Sequence, residues 1–478
     1  MKLKNFVGGR FVDAAGKKTL ANWNPAVGKR YADVPDSDAR DVDAAVAAAE
    51  AAFPAWSATP AAERARLLRA VARAIEAKLP ELARAEAVDT GKPLSLAKAV
   101  DIPRSAANFG FFADAATQFS TECHATDESA VNYTLRRPLG VVACISPWNL
   151  PLYLLSWKVA PALAMGNCVV AKPSEVTPMT AYLLSKICAG ILPPGVLNVV
   201  HGTGPKAGAA LVAHPRVKAV SFTGSTRVGA EIARVAGPAF RKTSLELGGK
   251  NPTVVFADCD FDRTVSETLR AAFSNQGQIC LCGSRILVER SIYERFTTKL
   301  LEGARKLRVG DPLLAGTDQG AVASKAHLSK IEACVERARR EGGRVLTGGR
   351  RAKMAGRCRS GWFYEPTLIE GLGPQCATNR EEIFGPVATL LPFDSEQEAL
   401  ELANGTRYGL AASVWTSDLS RAHRFGARLE AGIVWINCWM LRDLRTPFGG
   451  MKDSGVGREG GAEALRFFSE PRNVCVKI

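Results

Sequence analysis

Several things are scarce in this chain. Histidine occurs five times in 478 residues, and the twelve cysteines include no C-x-x-C pair. That density is too low for a disulfide scaffold, and without paired C-x-x-C motifs and neighbouring histidines a zinc site is not expected. The only close pair is Cys280 and Cys282 in "FSNQGQICLCGSR". Free thiols at this density suit a reducing compartment, so a cytoplasmic protein is expected. The start, "MKLKNFVGGRFVDAAGKK", has no apolar core of a secretory signal. Long hydrophobic runs are lacking too. Residues 138–157, "PLGVVACISPWNLPLYLLSW", carry no charge over a membrane-spanning length, but Pro147, Asn149 and Pro151 interrupt them. They read as a buried strand, a turn and a helix start. Acidic residues are outnumbered, 47 against 62 Lys and Arg, for a net charge of +15. The cations are spread out, with short pairs such as Arg136–Arg137 and Arg350–Arg351. This implies a basic solvated surface rather than a nucleic-acid footprint.

At 478 residues and 47% hydrophobic content, the chain is expected to form two or three domains. "SDARDVDAAVAAAEAAF" (37–53) reads as a helix, and "TPAAERARLLRAVARAIEAKL" (59–79) as another, with Thr59 as N-cap and Pro60 at the first helical position. Leu67, Leu68, Val71, Ile75, Leu79 and Leu82 form its apolar stripe. From residue 139 the texture changes. "GVVACIS", "NCVVAK", "VLNVV", "KAVSF", "TVVFA" and "RILVE" alternate with helical patterns, the signature of parallel sheets covered by helices. The loops "PWN", "KPSE", "HGTG" and "TGST" follow these strands, where α/β sheets bind ligands. "GTGPKA" matches G-x-G-x-x-A and "GSTRVG" spaces its glycines more widely; alone, either is an ordinary turn.

Seven motifs taken together are specific: "SPWNLP" (146–151), "AKPSE" (171–175), "FTGST" (222–226), "LELGGKNP" (245–252), "NQGQICLCGSR" (275–285), "EEIFGPV" (381–387) and "PFGGMKDSGVGREGG" (447–461). In this order and spacing the chain resembles the NAD(P)-dependent aldehyde dehydrogenase superfamily over essentially its full length. The resemblance implies an α/β fold: a Rossmann-type parallel-sheet cofactor domain, an α/β catalytic domain and a small β oligomerisation element. It would divide the chain into 1–247, with 123–139 contributing to oligomerisation, 248–440, and a return segment 441–478. A homodimer or homotetramer is implied, with the C-terminal "NVCVKI" available to add a strand to a neighbour's sheet.

The resemblance also implies roles. In G-Q-x-C the cysteine is the nucleophile, here Cys280, and Cys282 carries no role. From the residues alone, if the loop is extended, alternation is expected to point the two thiols to opposite sides. A thiolate suits the task because it is accessible near neutral pH and strongly nucleophilic. Asn149 and the Cys280 N–H would stabilise the oxyanion, and Glu246 would be the general base that hydrolyses the thioester. Flanking Leu245, Leu247 and the Gly248–Gly249 pair suggest that Glu246 is buried, which would raise its pKa. Without the resemblance, Asn149 is a plain turn residue and Glu246 a surface carboxylate. A thiol hydrolase would need a histidine beside Cys280, and none of the five lies in a motif with it. A CoA-acylating relative would lack the glutamate, and a catalytically silent one the nucleophile or base.

For the cofactor, the motif matches are Ser146, Trp148, Lys172, Ser174, Glu175, Gly224, Ser225, Leu247, Glu382 and Phe384. Glu175 would accept the adenosine ribose hydroxyls and repel a 2′-phosphate, favouring NAD. For the substrate, "LRDLRTPFGG" and "DIPRSAANF" resemble the branch acting on 2-aminomuconic and 2-hydroxymuconic 6-semialdehydes in aromatic and tryptophan catabolism. Arg442 and Arg104 would clamp a carboxylate, and Arg445 is read as a surface residue. Gly110 stands where some relatives carry a bulkier residue. The alternative is a broad-specificity enzyme for another aldehyde.

Overall fold

The computed structural model describes residues 1–478. Two largely parallel sheets organise the chain. In the first, five parallel strands run in the order Leu197–Val199, Cys168–Lys172, Val141–Ile145, Val217–Thr223, Lys242–Glu246. Chain order therefore reverses between Val141–Ile145 and Val217–Thr223, and the crevice beyond the strand ends opens there. Antiparallel Asn5–Val7, with Arg10–Val12 outside it, flanks one side, and antiparallel Gly455–Val456 closes the other. Every residue of Val141–Ile145 and Cys168–Lys172 is buried, so up to the terminal Lys172 these strands read as continuous apolar runs with no polar alternation.

The second sheet orders Arg344–Thr347, Thr367–Glu370, Val387–Phe393, Arg285–Glu289, Pro252–Val255, Ala411–Trp415 and Ile433–Ile436, all parallel except the first. The chain passes from the first sheet to the second in the five residues between Glu246 and Pro252. All six apolar runs singled out in the sequence are strands of these two sheets. A third, antiparallel sheet joins Cys123–Thr126, Ala130–Pro138 and Ser469–Lys477. The C-terminal strand is thus paired with its own chain, from Ser469↔Pro138 to Lys477↔Ala130, and lies at the edge of that sheet.

The expected first helix spans Ala39–Ala58, started by an Asp38–Asp41 capping box. The second, Ala61–Ala77, corrects one expectation. Thr59 is not its N-cap: the Thr59 hydroxyl turns back and donates to Ala55 O at 2.9 Å, closing the preceding helix. Pro60 takes the cap position, where no side chain bonds to the helix. Leu68, Val71 and Ile75 are buried as predicted, and Leu82 is buried on the next helix, Leu79–Thr90. Residues 138–157 do form strand, turn and helix; helix Pro151–Ala164 is buried throughout. No helix is long and apolar enough to cross a membrane.

Candidate active site

The loops Ser146–Asn149 and Thr223–Ser225 leave the two strands flanking the reversal. They enclose a cavity of about 190 Å³ whose wall includes Trp148, Asn149, Gly224, Cys280, Glu382 and Phe384. A second, more apolar cleft of about 260 Å³ borders Lys172, Gly208, Phe222, Val228 and Ile232. Between the two begins helix Thr226–Ala236, capped by Ser225 Oγ accepting from Val228 N–H. A side chain at Gly224 would overlap the Phe222 ring, so the helix entrance stays open only with glycine. At the crevice, Ser146 Oγ and Thr223 Oγ1 are buried without partners. Two clefts joined at a helix N-terminus, with orphaned hydroxyls, fit a dinucleotide with its pyrophosphate at the helix start.

The Cys280 loop is held by strain and side-chain bonds. Asn275, Gln276 and Gly277 are all left-handed, with φ of 51°, 57° and 67°. At Gly277 a Cβ would overlap Gly385 O. Gln276 Nε2 donates to Ala321 O at 3.0 Å, and Gln278 Oε1 accepts from Ala323 N–H at 3.1 Å. Cys280 faces the cavity, while Cys282 is buried with its thiol 3.9 Å from Ser274 O. Burial pushes the Cys280 thiol well up, and the Glu382 and Glu246 carboxylates push it further. Asn149 Nδ2 donates to Gln278 O at 2.9 Å, leaving its second N–H. The Cys280 N–H donates to no backbone or side-chain group of the chain.

Glu246 ends its strand beside this cavity rather than in its wall. It is 3% exposed and both carboxylate oxygens lack partners. Burial, then the nearby Glu459 carboxylate, raise its pKa well above the ordinary range. Close by lies a buried group that the sequence reading missed. Lys158 Nζ donates to Glu459 Oε1 at 2.6 Å, and Ser221 Oγ donates to the same oxygen at 3.2 Å. Nothing local in "SWKVAP" or "GREGG" signals this pairing across 301 residues.

Glu382 Oε1 accepts from Gly249 N–H at 3.0 Å, and its carboxyl pKa is raised by burial. The Phe384 ring meets Trp148 edge-on at 5.2 Å. His327, also unforeseen, packs on Trp148 at 4.9 Å and lies 2.6 Å from Phe384 O through Nε2. Burial lowers its pKa to about 4, so the ring stays neutral at ordinary pH. Leu247 lines the same cavity. Lys172 Nζ reaches Pro173 O at 2.8 Å and Glu175 Oε2 at 3.4 Å; Ser174 is buried and Glu175 half-buried.

The two arginines converge. Arg104 and Arg442 both lie over the Trp157 ring, at 5.7 and 5.5 Å. Arg442 also covers Phe448 at 4.0 Å and donates to Tyr153 Oη at 2.8 Å. Arg104 keeps Nε and Nη2 buried without partners. Arg442's charge lowers the pKa of both Cys280 and Glu246, which places it within electrostatic reach of both. Arg445 is at the surface as expected, paired with Asp443 and 80% exposed. A Cβ at Gly110 would meet nothing within 4 Å.

The aldehyde dehydrogenase family model matches residues 11–474. A 2-aminomuconic semialdehyde dehydrogenase of Danio rerio is 49% identical over 480 residues, covering 99% of this chain and 98% of its own. A 2-hydroxymuconic semialdehyde dehydrogenase of Pseudomonas sp. (strain CF600) is 49% identical over all of both chains. Among solved structures, PnpE in complex with nicotinamide adenine dinucleotide superposes with TM-score 0.98 at 40% identity, covering 100% of this chain and 98% of that one. An NAD⁺ complex of an aldehyde dehydrogenase from Bacillus cereus gives 0.97 at 39%, covering 100% and 97%. With this fold, this crevice and this cysteine loop, the chain belongs to the aldehyde dehydrogenase family.

Proposed function

We propose that this protein oxidises a carboxylate-bearing muconic-type semialdehyde, 2-aminomuconic or 2-hydroxymuconic 6-semialdehyde, to the acid, using NAD. The observation that carries the substrate class is the convergence of Arg104 and Arg442 on Trp157, with Arg104 nitrogens buried and unpartnered. A desolvated guanidinium without a partner is costly, and a bidentate carboxylate satisfies it. The names of the relatives supply the two candidate substrates.

Cys280 attacks the aldehyde carbon as thiolate after its thiol proton has passed to solvent through the cavity; burial keeps that thiolate a minor form but a strongly nucleophilic one. The oxygen that becomes charged is met by Asn149 Nδ2–H and the free Cys280 N–H, each worth about 2.7–4 kcal/mol of barrier. NAD, when bound, supplies the hydride acceptor. The thioester left on Cys280 is hydrolysed by water that Glu246 deprotonates; burial makes Glu246 a stronger base than a surface carboxylate. Ser146, Trp148, Lys172, Ser174 and Glu175, the Gly224–Ser225 helix entrance, Leu247, Glu382 and Phe384 hold the cofactor. Glu175 favours NAD over its 2′-phosphorylated form.

The proposed division is a cofactor domain over 1–247, a catalytic domain over 248–440 and a return segment over 441–478. A cytoplasmic homodimer or homotetramer forms through the three-stranded sheet, which exposes Tyr133 and Val476. The test of function is NADH formation with a panel of semialdehydes and uncharged aldehydes, without CoA. A higher kcat/KM for hexanal than for both muconic semialdehydes would sink the substrate assignment.

A further inference from the structure

Asn251 is not among the residues assigned above, yet its side-chain amide nitrogen is committed to the nucleophile loop. Its amide nitrogen donates to Cys280 O at 2.7 Å and to Cys282 O at 2.9 Å, and its Oδ1 accepts from Ala411 N–H at 3.1 Å. The residue is 3% exposed, so these bonds have no competition from bulk water. The Ala411 bond fixes which end of the amide faces the loop: the donors point at the two cysteine carbonyls. The approach is close enough that a Cβ on Gly249 would stand 2.7 Å from Asn251 Oδ1 and 2.8 Å from Cys280 O.

The three peptide planes around the nucleophile are thereby fixed. Ile279 O accepts from Cys282 N–H at 3.0 Å, closing a tight turn over Cys280 and Leu281. A trans peptide is planar, so holding a carbonyl also aims the N–H of the same plane. The Cys282 N–H holds the plane that contains the Cys280 N–H; Asn251 holds the next plane through Cys280 O and the far end of the turn through Cys282 O. The Cys280 N–H is left without an acceptor in the chain. We infer that Asn251 is a positioning residue: by gripping the carbonyls of Cys280 and Cys282 it keeps the turn that aims the Cys280 N–H at the developing oxyanion. This rests on Cys280 being the nucleophile.

The test uses Asn251→Ser, Asn251→Ala and Asn251→Asp in the full-length enzyme. A misaimed donor costs on the order of 10- to 100-fold in turnover. The expected order of kcat is wild type, then Ser, which keeps one donor, then Ala, then Asp. Asp is closest to Asn in shape, but it points oxygens at two carbonyls. A role in packing volume alone would make Asp the mildest change. The KM for NAD should stay within about 2-fold, because Asn251 does not line the cofactor clefts. Alkylation of Cys280 by iodoacetamide develops no oxyanion, so its rate should stay within about 3-fold of wild type. Thermal melting is read beside each, and the Ser variant decides the matter should Ala or Asp fail to fold. Wild-type kcat in the Ser and Ala variants, or alkylation falling in step with kcat, would overturn the inference. Full activity of Cys280→Ala, by contrast, would overturn the nucleophile itself.

Discussion

Removing the Arg442 guanidinium tests the substrate reading most directly. The side chain is held from three directions: Tyr153 Oη at 2.8 Å, the Phe448 ring at 4.0 Å and the Trp157 ring at 5.5 Å. These contacts pre-organise it, so a carboxylate that binds it gains charge-assisted bonds at small entropic cost. Truncating one partner of a desolvated charge pair typically costs about 2–5 kcal/mol. Arg104 remains against the Trp157 ring and still offers a cation, so the lower part of that range applies, about 2–3 kcal/mol. At about 1.4 kcal/mol per tenfold, Arg442→Ala should lower kcat/KM for a muconic semialdehyde roughly 30- to 150-fold. One side effect needs control. Arg442 also lowers the pKa of Cys280 and Glu246, so its loss disturbs the chemistry for every substrate. Hexanal has no carboxylate and reports that shared part alone. The assay is therefore the ratio of kcat/KM for the two substrates, by NADH absorbance, in wild type and variant. An unchanged ratio would refute the clamp, whatever the absolute loss.

The remaining predictions concern the chemistry. Cys280→Ala should abolish NADH production while NAD binding, followed by calorimetry, persists; Cys282→Ala should keep most activity, since its thiol lies outside the cavity. Glu246→Ala should stall after hydride transfer, giving a single-turnover burst of NADH and a mass increase on the Cys280 peptide. Absence of both would place Glu246 before hydride transfer. Glu246 also makes a stability prediction. Its folded pKa is raised by burial, so the native state binds the proton more tightly than the unfolded state. Stability is then full below the unfolded value near 4.5 and declines as pH rises toward the folded pKa. Glu246→Gln, which carries no charge at any pH, should raise Tm at neutral pH and lose that advantage near about pH 4; a Tm gain independent of pH would refute burial as the cause.

Much of the fold was legible because its signals are local. Val141–Ile145 and Cys168–Lys172 are covered on both faces, so their sequences are apolar at every position but the terminal Lys172, and the loops that follow them are punctuated by Pro and Gly. The Thr59 cap was misjudged because two helices abut there: a hydroxyl between them can serve either, and it bonds back to Ala55. The orientation of the C-terminal strand depends on what else competes for it. The Ala130–Pro138 strand offers a nine-residue partner within the same chain.

The candidate site divides along the same line. Cys280, Asn149 and Glu246 sit in motifs because strand ends and tight turns demand their glycines and prolines close by. His327, Asn251 and the Lys158–Glu459 pair carry no such punctuation, since each is recruited by an element distant in sequence. His327 looks like any polar residue of an amphipathic helix until Trp148 and Phe384 are brought against it. The two thiols show how a correct expectation can have another cause. In an extended strand, residues two apart line the same face, so alternation would have put Cys280 and Cys282 together. They part because the chain turns: the Cys282 N–H closes on Ile279 O, and Asn251 holds both carbonyls on its own side. The turn that sends Cys282 into the core is therefore the one that presents Cys280, and a single buried amide secures both outcomes.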